Sequence, residues 1–92
     1  GIQDPGEHLM YGHLLLRANR LADAQRVLQR LIERGDADPR AWSILSETWT
    51  ASGDHRNALR TAIEGLNRFP SQPDLIRIVD RYRRATGGAP PS

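Results

Sequence analysis

The sequence has no cysteine and no lysine, and only five of its 92 residues are aromatic. Without cysteine, the chain cannot form a disulfide, a thiolate nucleophile or a cysteine-ligated metal site. The longest apolar run, Leu14 to Leu16, is far too short to span a bilayer, so membrane insertion is not expected. No signal-peptide pattern is present. We therefore expect a soluble protein of the cytoplasm or the periplasm, with the choice between them open.

The basic residues are all arginine. Thirteen arginines face eleven aspartates and glutamates, which gives a net charge of +2. Arginine suits bidentate recognition of carboxylates and phosphates, but a GC-rich coding sequence gives the same bias, and we favour this second explanation. A net charge this small, spread along the chain, supports nucleic-acid binding only weakly. With the short loops, the composition is typical of a bacterial protein.

The hydrophobic pattern has the helical period, and no segment alternates long enough to predict a strand. Residues suited to helix ends divide the pattern: Asp38-Pro39 at a start, and Asn19 and Gly53 at turns that need the left-handed conformation. The fold class predicted is all-α, with five helices joined by short loops at about 7–18, 21–34, 39–52, 55–68 and 73–86. Residues 1–6 are expected to be a polar lead-in, and 87–92 a flexible Gly/Pro-rich tail.

The two tryptophans, Trp42 and Trp49, are seven residues apart and so lie on one face of the third helix. We expect both indoles to be buried between the third and fourth helices, because core packing is the usual role of such residues. Small residues at Ser46, Ala58 and Ala62 would let these two helices approach closely.

The chain also repeats. A shift of 34 residues lays 5–38 over 39–72. A second shift of the same length lays the first helix of the second repeat over 73–86. Identical residues are few, and the matches preserve size and polarity instead. The second repeat carries a motif of spaced residues, namely Trp42, Leu45-Ser46, Trp49, Gly53-Asp54, Ala58, Gly65 and Pro70.

This motif resembles the tetratricopeptide repeat (TPR) family, whose repeats pair two antiparallel helices. The resemblance covers about 5–86: a TPR-like repeat at 5–38, a TPR repeat at 39–72 and a capping helix at 73–86. The first repeat departs from the motif at His8, where tryptophan is usual, and at Asp36-Ala37, where proline is usual.

The resemblance implies a right-handed superhelix, an α-solenoid, in which the first helices of the repeats line a concave groove. Family members bind peptides, helices or whole proteins there and rarely catalyse reactions. We therefore predict a protein–protein interaction scaffold or adaptor that is not an enzyme and needs no cofactor.

Helical geometry opposite the core stripe predicts which residues face the groove. An apolar patch of Leu9 and Leu16 would lie on the water-facing side of the first helix. An arginine stripe, Arg77, Arg81 and Arg84, would lie on the last helix. A partner peptide would then carry apolar residues and acidic residues or a terminal carboxylate. The predicted groove residues are Leu9, His13, Leu16, Arg17, Arg40, Ser43, Glu47, Thr50, Arg77, Arg81 and Arg84.

Catalytic and metal sites are not expected. His8, His13 and His55 are not spaced to place two imidazoles on one helical face for a metal. The serines lack a nucleophile-elbow context, the carboxylates are isolated, and no glycine-rich phosphate loop is present.

Two alternatives stay open. The chain could be a structural element that self-associates through the Leu9/Leu16 end of the first helix. Less favoured is nucleic-acid binding, because the arginines available have no aromatic residue between them for base stacking except Tyr82, which is assigned to the core. These arginines are Arg17, Arg20, Arg77, Arg81 and Arg84.

Overall fold

A computed structural model describes residues 5–35 and 38–85. This part of the chain forms five α-helices and no strand, which confirms the all-α prediction. The helices are α1 (Pro5–Arg17), α2 (Leu21–Glu33), α3 (Pro39–Ala51), α4 (His55–Arg68) and α5 (Pro73–Ala85). The helix bounds agree with the predicted ones to within two residues. The tail, residue 86 and most of the predicted lead-in lie outside the described residues.

The helix ends follow from local chemistry. Asp38 caps α3 by accepting a hydrogen bond from the backbone N–H of Arg40 at 2.8 Å, and Asp54 caps α4 by accepting one from the backbone N–H of Asn57 at 3.1 Å. The turns after α1 and α3 contain left-handed residues, Asn19 at φ 61° and Gly53 at φ 84°. These signals explain why the sequence predicts the bounds well.

The helices stack in chain order. Each helix packs against the next one, and α3 additionally contacts α1 and α5. The described residues therefore form an elongated body of 45 × 26 × 18 Å in which α1, α3 and α5 are neighbours. This arrangement places the first helices of successive pairs side by side, as a helical-repeat fold requires.

Two hydrophobic clusters share α3. The first joins α1, α2 and α3, and the second joins α3, α4 and α5. The first contains Leu9, Leu28, Leu31, Ala41 and Leu45, and the second contains Trp42, Ala62, Leu75, Ile78 and Val79.

The tryptophan prediction was only half right. Trp42 is buried in the second cluster, whereas Trp49 is half-buried and packs against the first. Both border one crevice between α2, α3 and α4, as their common helix face requires. Because α3 is packed between α2 and α4, one face of α3 contacts both of these helices. The two indoles on that face therefore join different clusters.

Small residues let α3, α4 and α5 approach closely. Ser46 and Ala58 are fully buried, and the Ser46 hydroxyl donates to the Ala58 carbonyl oxygen at 2.7 Å. A β-carbon at Gly65 would lie 2.8 Å from both Trp42 Cβ and Leu75 Cδ1, which is closer than carbon atoms pack. Glycine at this position therefore sets the spacing between the helices.

Candidate functional site

A depression of about 420 Å³ lies between α1 and α3 and reaches the first turn of α5. We call it the α1–α3 groove. Five of the predicted groove residues line it together, on two adjacent helices. Its lining consists of Gly6, Leu9, Met10, His13, Arg40, Ser43, Ile44, Glu47 and Asp74.

The floor of the α1–α3 groove is mainly apolar. Leu9 is buried, with 7% of its surface exposed, and Ile44 is half-buried. The prediction that Leu9 faces water was therefore wrong: the side chain packs into the first cluster with Leu28 and Leu31, and only its edge reaches the groove. Ser43 is also buried, and its hydroxyl donates to the Arg40 carbonyl oxygen at 3.0 Å, which leaves the floor without a strong polar donor.

The charges at the groove wall are partly neutralised. The Arg40 guanidinium donates from Nε to Asp38 Oδ1 at 3.1 Å and from Nη2 to Asp38 Oδ2 at 3.0 Å. These hydrogen bonds hold the pKa of Asp38 below its usual value and raise the pKa of Arg40. Arg40 is thus already paired at the groove wall.

The arginine stripe borders a second depression of about 540 Å³, along α5 and the turn before it. Arg77, Arg81 and Arg84 come together there, as their spacing predicts, and all three side chains are exposed. None of them lines the α1–α3 groove. One exposed ion pair links the two depressions: Arg77 Nη1, at the second, lies 3.5 Å from Oδ1 of Asp74, which lines the first.

The other three predicted groove residues line neither depression. Thr50 Oγ1 is hydrogen-bonded to the Tyr82 hydroxyl at 2.7 Å, which ties α3 to α5. Leu16 is half-buried and Arg17 is exposed. Leu16 is therefore not a fully water-facing residue, because it lies at the edge of the α1 packing surface.

The exposed apolar residues of α1 are not among the predicted groove residues. Met10, Tyr11 and Leu14 are exposed over 66%, 53% and 58% of their surfaces, and we call them the α1 outer face. With the 34-residue shift, Tyr11 and Leu14 correspond to Leu45 and Thr48, which are buried in α3 next to α2. The repeat register was the signal that could have identified this face.

A third depression of about 310 Å³ continues from the α1 outer face onto α2. It is lined by His8, Tyr11, Val27, Arg30, Leu31 and Arg34. The Nδ1 atom of His8 is buried without a hydrogen-bond partner among the described residues. This surface is therefore apolar at its centre and basic along α2.

Neither a metal site nor a membrane span is found within residues 5–35 and 38–85. In this part of the chain, no group of three or more histidine, aspartate or glutamate side chains is gathered closely enough to hold a metal ion. Likewise, none of the helices described is long and apolar enough to cross a membrane.

Comparison with known proteins finds one family-model match, over a little less than half of the chain. The family model described as Tetratricopeptide repeat matches residues 5–48, which span α1, α2 and most of α3. No curated protein and no solved structure matches the chain significantly. The match confirms the resemblance and includes the first repeat, whose motif is the less regular one. The repeat boundaries, 5–38, 39–72 and 73–86, stay a prediction.

Proposed function

We propose that this chain, whose residues 5–48 belong to the tetratricopeptide repeat family, is a scaffold module that binds a peptide or partner protein along its concave face. Repeats of this family generally mediate protein–protein interaction and are typically non-catalytic. The single observation that carries the proposal is the α1–α3 groove, where five residues selected from helical geometry alone line one depression.

The size and composition of this surface support a peptide ligand. The α1–α3 groove and the depression along α5 adjoin at the Asp74–Arg77 ion pair, so an extended segment could cross both. The first offers apolar contact, and the second offers guanidinium groups that pair with carboxylates. An extended peptide with apolar residues followed by acidic ones fits this order.

The test is to select ligands from a phage-displayed library of random dodecapeptides and to map the selected peptides by backbone amide NMR. We expect shifts in α1, α3 and α5 and little change in α2 and α4. The triple variant Arg77→Glu/Arg81→Glu/Arg84→Glu should lower affinity on the order of tenfold or more, since three charge-assisted contacts are replaced by repulsion.

A matched control is Arg26→Glu/Arg56→Glu/Arg60→Glu, which makes the same change in net charge on α2 and α4. This control should bind as the wild type does. Shifts confined to α2 and α4, or equal losses of affinity in both triple variants, would refute binding along the concave face.

The α1 outer face favours a second candidate, self-association through the N-terminal helix. Three large apolar side chains are more than half exposed on one short stretch of helix, and a buried His8 nitrogen beside them has no partner among the described residues. Clustered apolar exposure of this kind marks interaction surfaces. The surface is now assigned to Met10, Tyr11 and Leu14 instead of Leu9 and Leu16.

If the chain self-associates in this way, its molar mass in light scattering should rise with concentration. The variant Tyr11→Ser/Leu14→Ser should then remain monomeric at every concentration measured. As a control, Ile63→Ser/Ile76→Ser removes two exposed apolar side chains from α4 and α5 and should leave the association unchanged. A constant monomer mass for the wild-type chain would exclude this candidate.

A further inference from the structure

We propose that the α1–α3 groove takes a basic side chain of the partner, a lysine or an arginine next to an aliphatic residue, and that Glu47 pairs with it. The inference rests on the proposed peptide-binding function and specifies the ligand of the same groove. It differs from the acidic partner expected from the arginine stripe, because none of the arginines of that stripe lines this groove.

The first step concerns the positive charge in the groove. Arg40 is the only arginine among the described lining residues, and its Nε and Nη2 atoms both donate to Asp38. A carboxylate entering the groove would meet a guanidinium whose charge Asp38 already partly neutralises. Because Arg40 and Asp38 already form a geometrically matched bidentate pair, a second carboxylate gains less from Arg40 than from an unpaired arginine.

The second step concerns the negative charge. Two carboxylates line the groove, Glu47 and Asp74. Asp74 is paired with Arg77, whereas the side chain of Glu47 is exposed and makes no ion pair or hydrogen bond with any described residue. Glu47 is thus the unpaired charge of the groove, and it selects a cation.

The third step concerns the apolar surface beside Glu47. Met10 is 66% exposed at the groove edge, and Leu9 and Ile44 form the floor next to it. The methylene stem of a lysine or arginine can lie on such a surface while its charged end reaches a carboxylate. The flexible thioether of Met10 adapts to side chains of different shape. An aliphatic neighbour in the peptide would fill the remaining floor.

The pairing also determines which end of the peptide lies over α3 and which lies over α5. The basic residue lies over Glu47, and the acidic residues of the same segment lie over Arg81 and Arg84. The Asp74–Arg77 ion pair, which joins one lining residue of each depression, presents one charge of each sign. The same segment bound the opposite way round would place like charges against each other at both ends.

The experiment is a double-mutant cycle between protein and peptide. Acetylated and amidated random heptapeptides on an array are screened with the wild-type chain, and the best binder is measured by fluorescence anisotropy. Its basic residue is replaced by norleucine, which keeps the stem and removes the charge. The protein variants are Glu47→Gln and, as a matched control with the same charge change on α2, Glu33→Gln.

We expect lysine or arginine to be enriched in the selected peptides. Removing the peptide charge should weaken binding to the wild-type chain and to Glu33→Gln by about two- to fivefold, the size of an exposed ion pair. The same replacement should have no effect on binding to Glu47→Gln. Binding should also weaken as sodium chloride is raised.

The contrary results are distinguishable. Selected peptides without a basic residue, or an equal effect of norleucine in Glu47→Gln and Glu33→Gln, would overturn this inference and leave peptide binding intact. If no peptide bound the wild-type chain at millimolar concentration, the proposed function would fail, and this inference would fail with it.

Discussion

Replacing Trp42 by alanine is expected to lower the free energy of unfolding by about 3–5 kcal/mol, the usual cost of truncating a buried aromatic residue. The indole is 6% exposed and joins α3 to Leu75 and Ile78 of α5. The Arg68 guanidinium also lies 5.8 Å from the centre of the ring, so a cation–π contact is lost with it. Urea denaturation followed by circular dichroism measures the change.

Trp49 provides the comparison for Trp42. Because its indole is only half-buried against the first cluster, Trp49→Ala should cost less, about 1–3 kcal/mol. A domain of this size has a total stability of about 5–14 kcal/mol. Both losses are large fractions of this total, so urea denaturation can distinguish one from the other. Equal losses, or a larger loss for Trp49, would contradict the assignment of the two indoles to different clusters.

Replacing Gly65 by alanine is expected to lower the free energy of unfolding by about 1–3 kcal/mol, which is the opposite of the effect that helix propensity alone predicts. The added methyl group would lie 2.8 Å from Trp42 Cβ, an atom fixed directly to the α3 backbone. This close contact cannot be relieved by rotating a side chain, so α4 must move away from α3. This shift would open the second cluster.

The control for Gly65→Ala is Asn67→Ala in the same helix. Asn67 is exposed, so alanine there should be neutral or slightly stabilising. The two variants are compared by their urea midpoints at unchanged slope. If Gly65→Ala were as stable as Asn67→Ala, the close approach of α3 and α4 would not be rigid.

The helix bounds were predictable because they depend on a few neighbouring residues. Asp38 and Asp54 accept hydrogen bonds from amides two and three residues later, and Gly53 has the positive φ that its position requires. These are interactions within one turn of the chain, so the sequence contains all the information they need.

The exposed face of α1 was not predictable from periodicity, because this helix is apolar on almost every side. Apolar residues occupy positions 9–11 and 14–16, so several different stripes fit the helical period equally well. The neighbouring helices decide between them: Leu9 and Leu15 are buried, while Met10 and Leu14 are not. Only the packing of α1 on α2 and α3 supplies that choice.

The α1–α3 groove was predictable only as far as geometry within one helix determines it. Helical geometry placed His13, Ser43 and Glu47 on one side of their helices, and the structure brings them to one depression. Geometry within one helix could not separate the arginine stripe from this groove, since that depends on how α5 is oriented against α3. The pairing of Arg40 with Asp38 also changes which charges are available to a ligand.

The position of α3 in the stack affects how the molecule opens. Among the described residues, α3 contacts all four other helices, whereas α1 contacts only α2 and α3, and α5 contacts only α3 and α4. Local unfolding should therefore begin at either end and spare α3, as in other linear arrays. A partner lying across α1, α3 and α5 would bind only the closed form and would suppress opening at both ends. Occupancy of the groove would then make the two halves of the chain unfold as one cooperative unit.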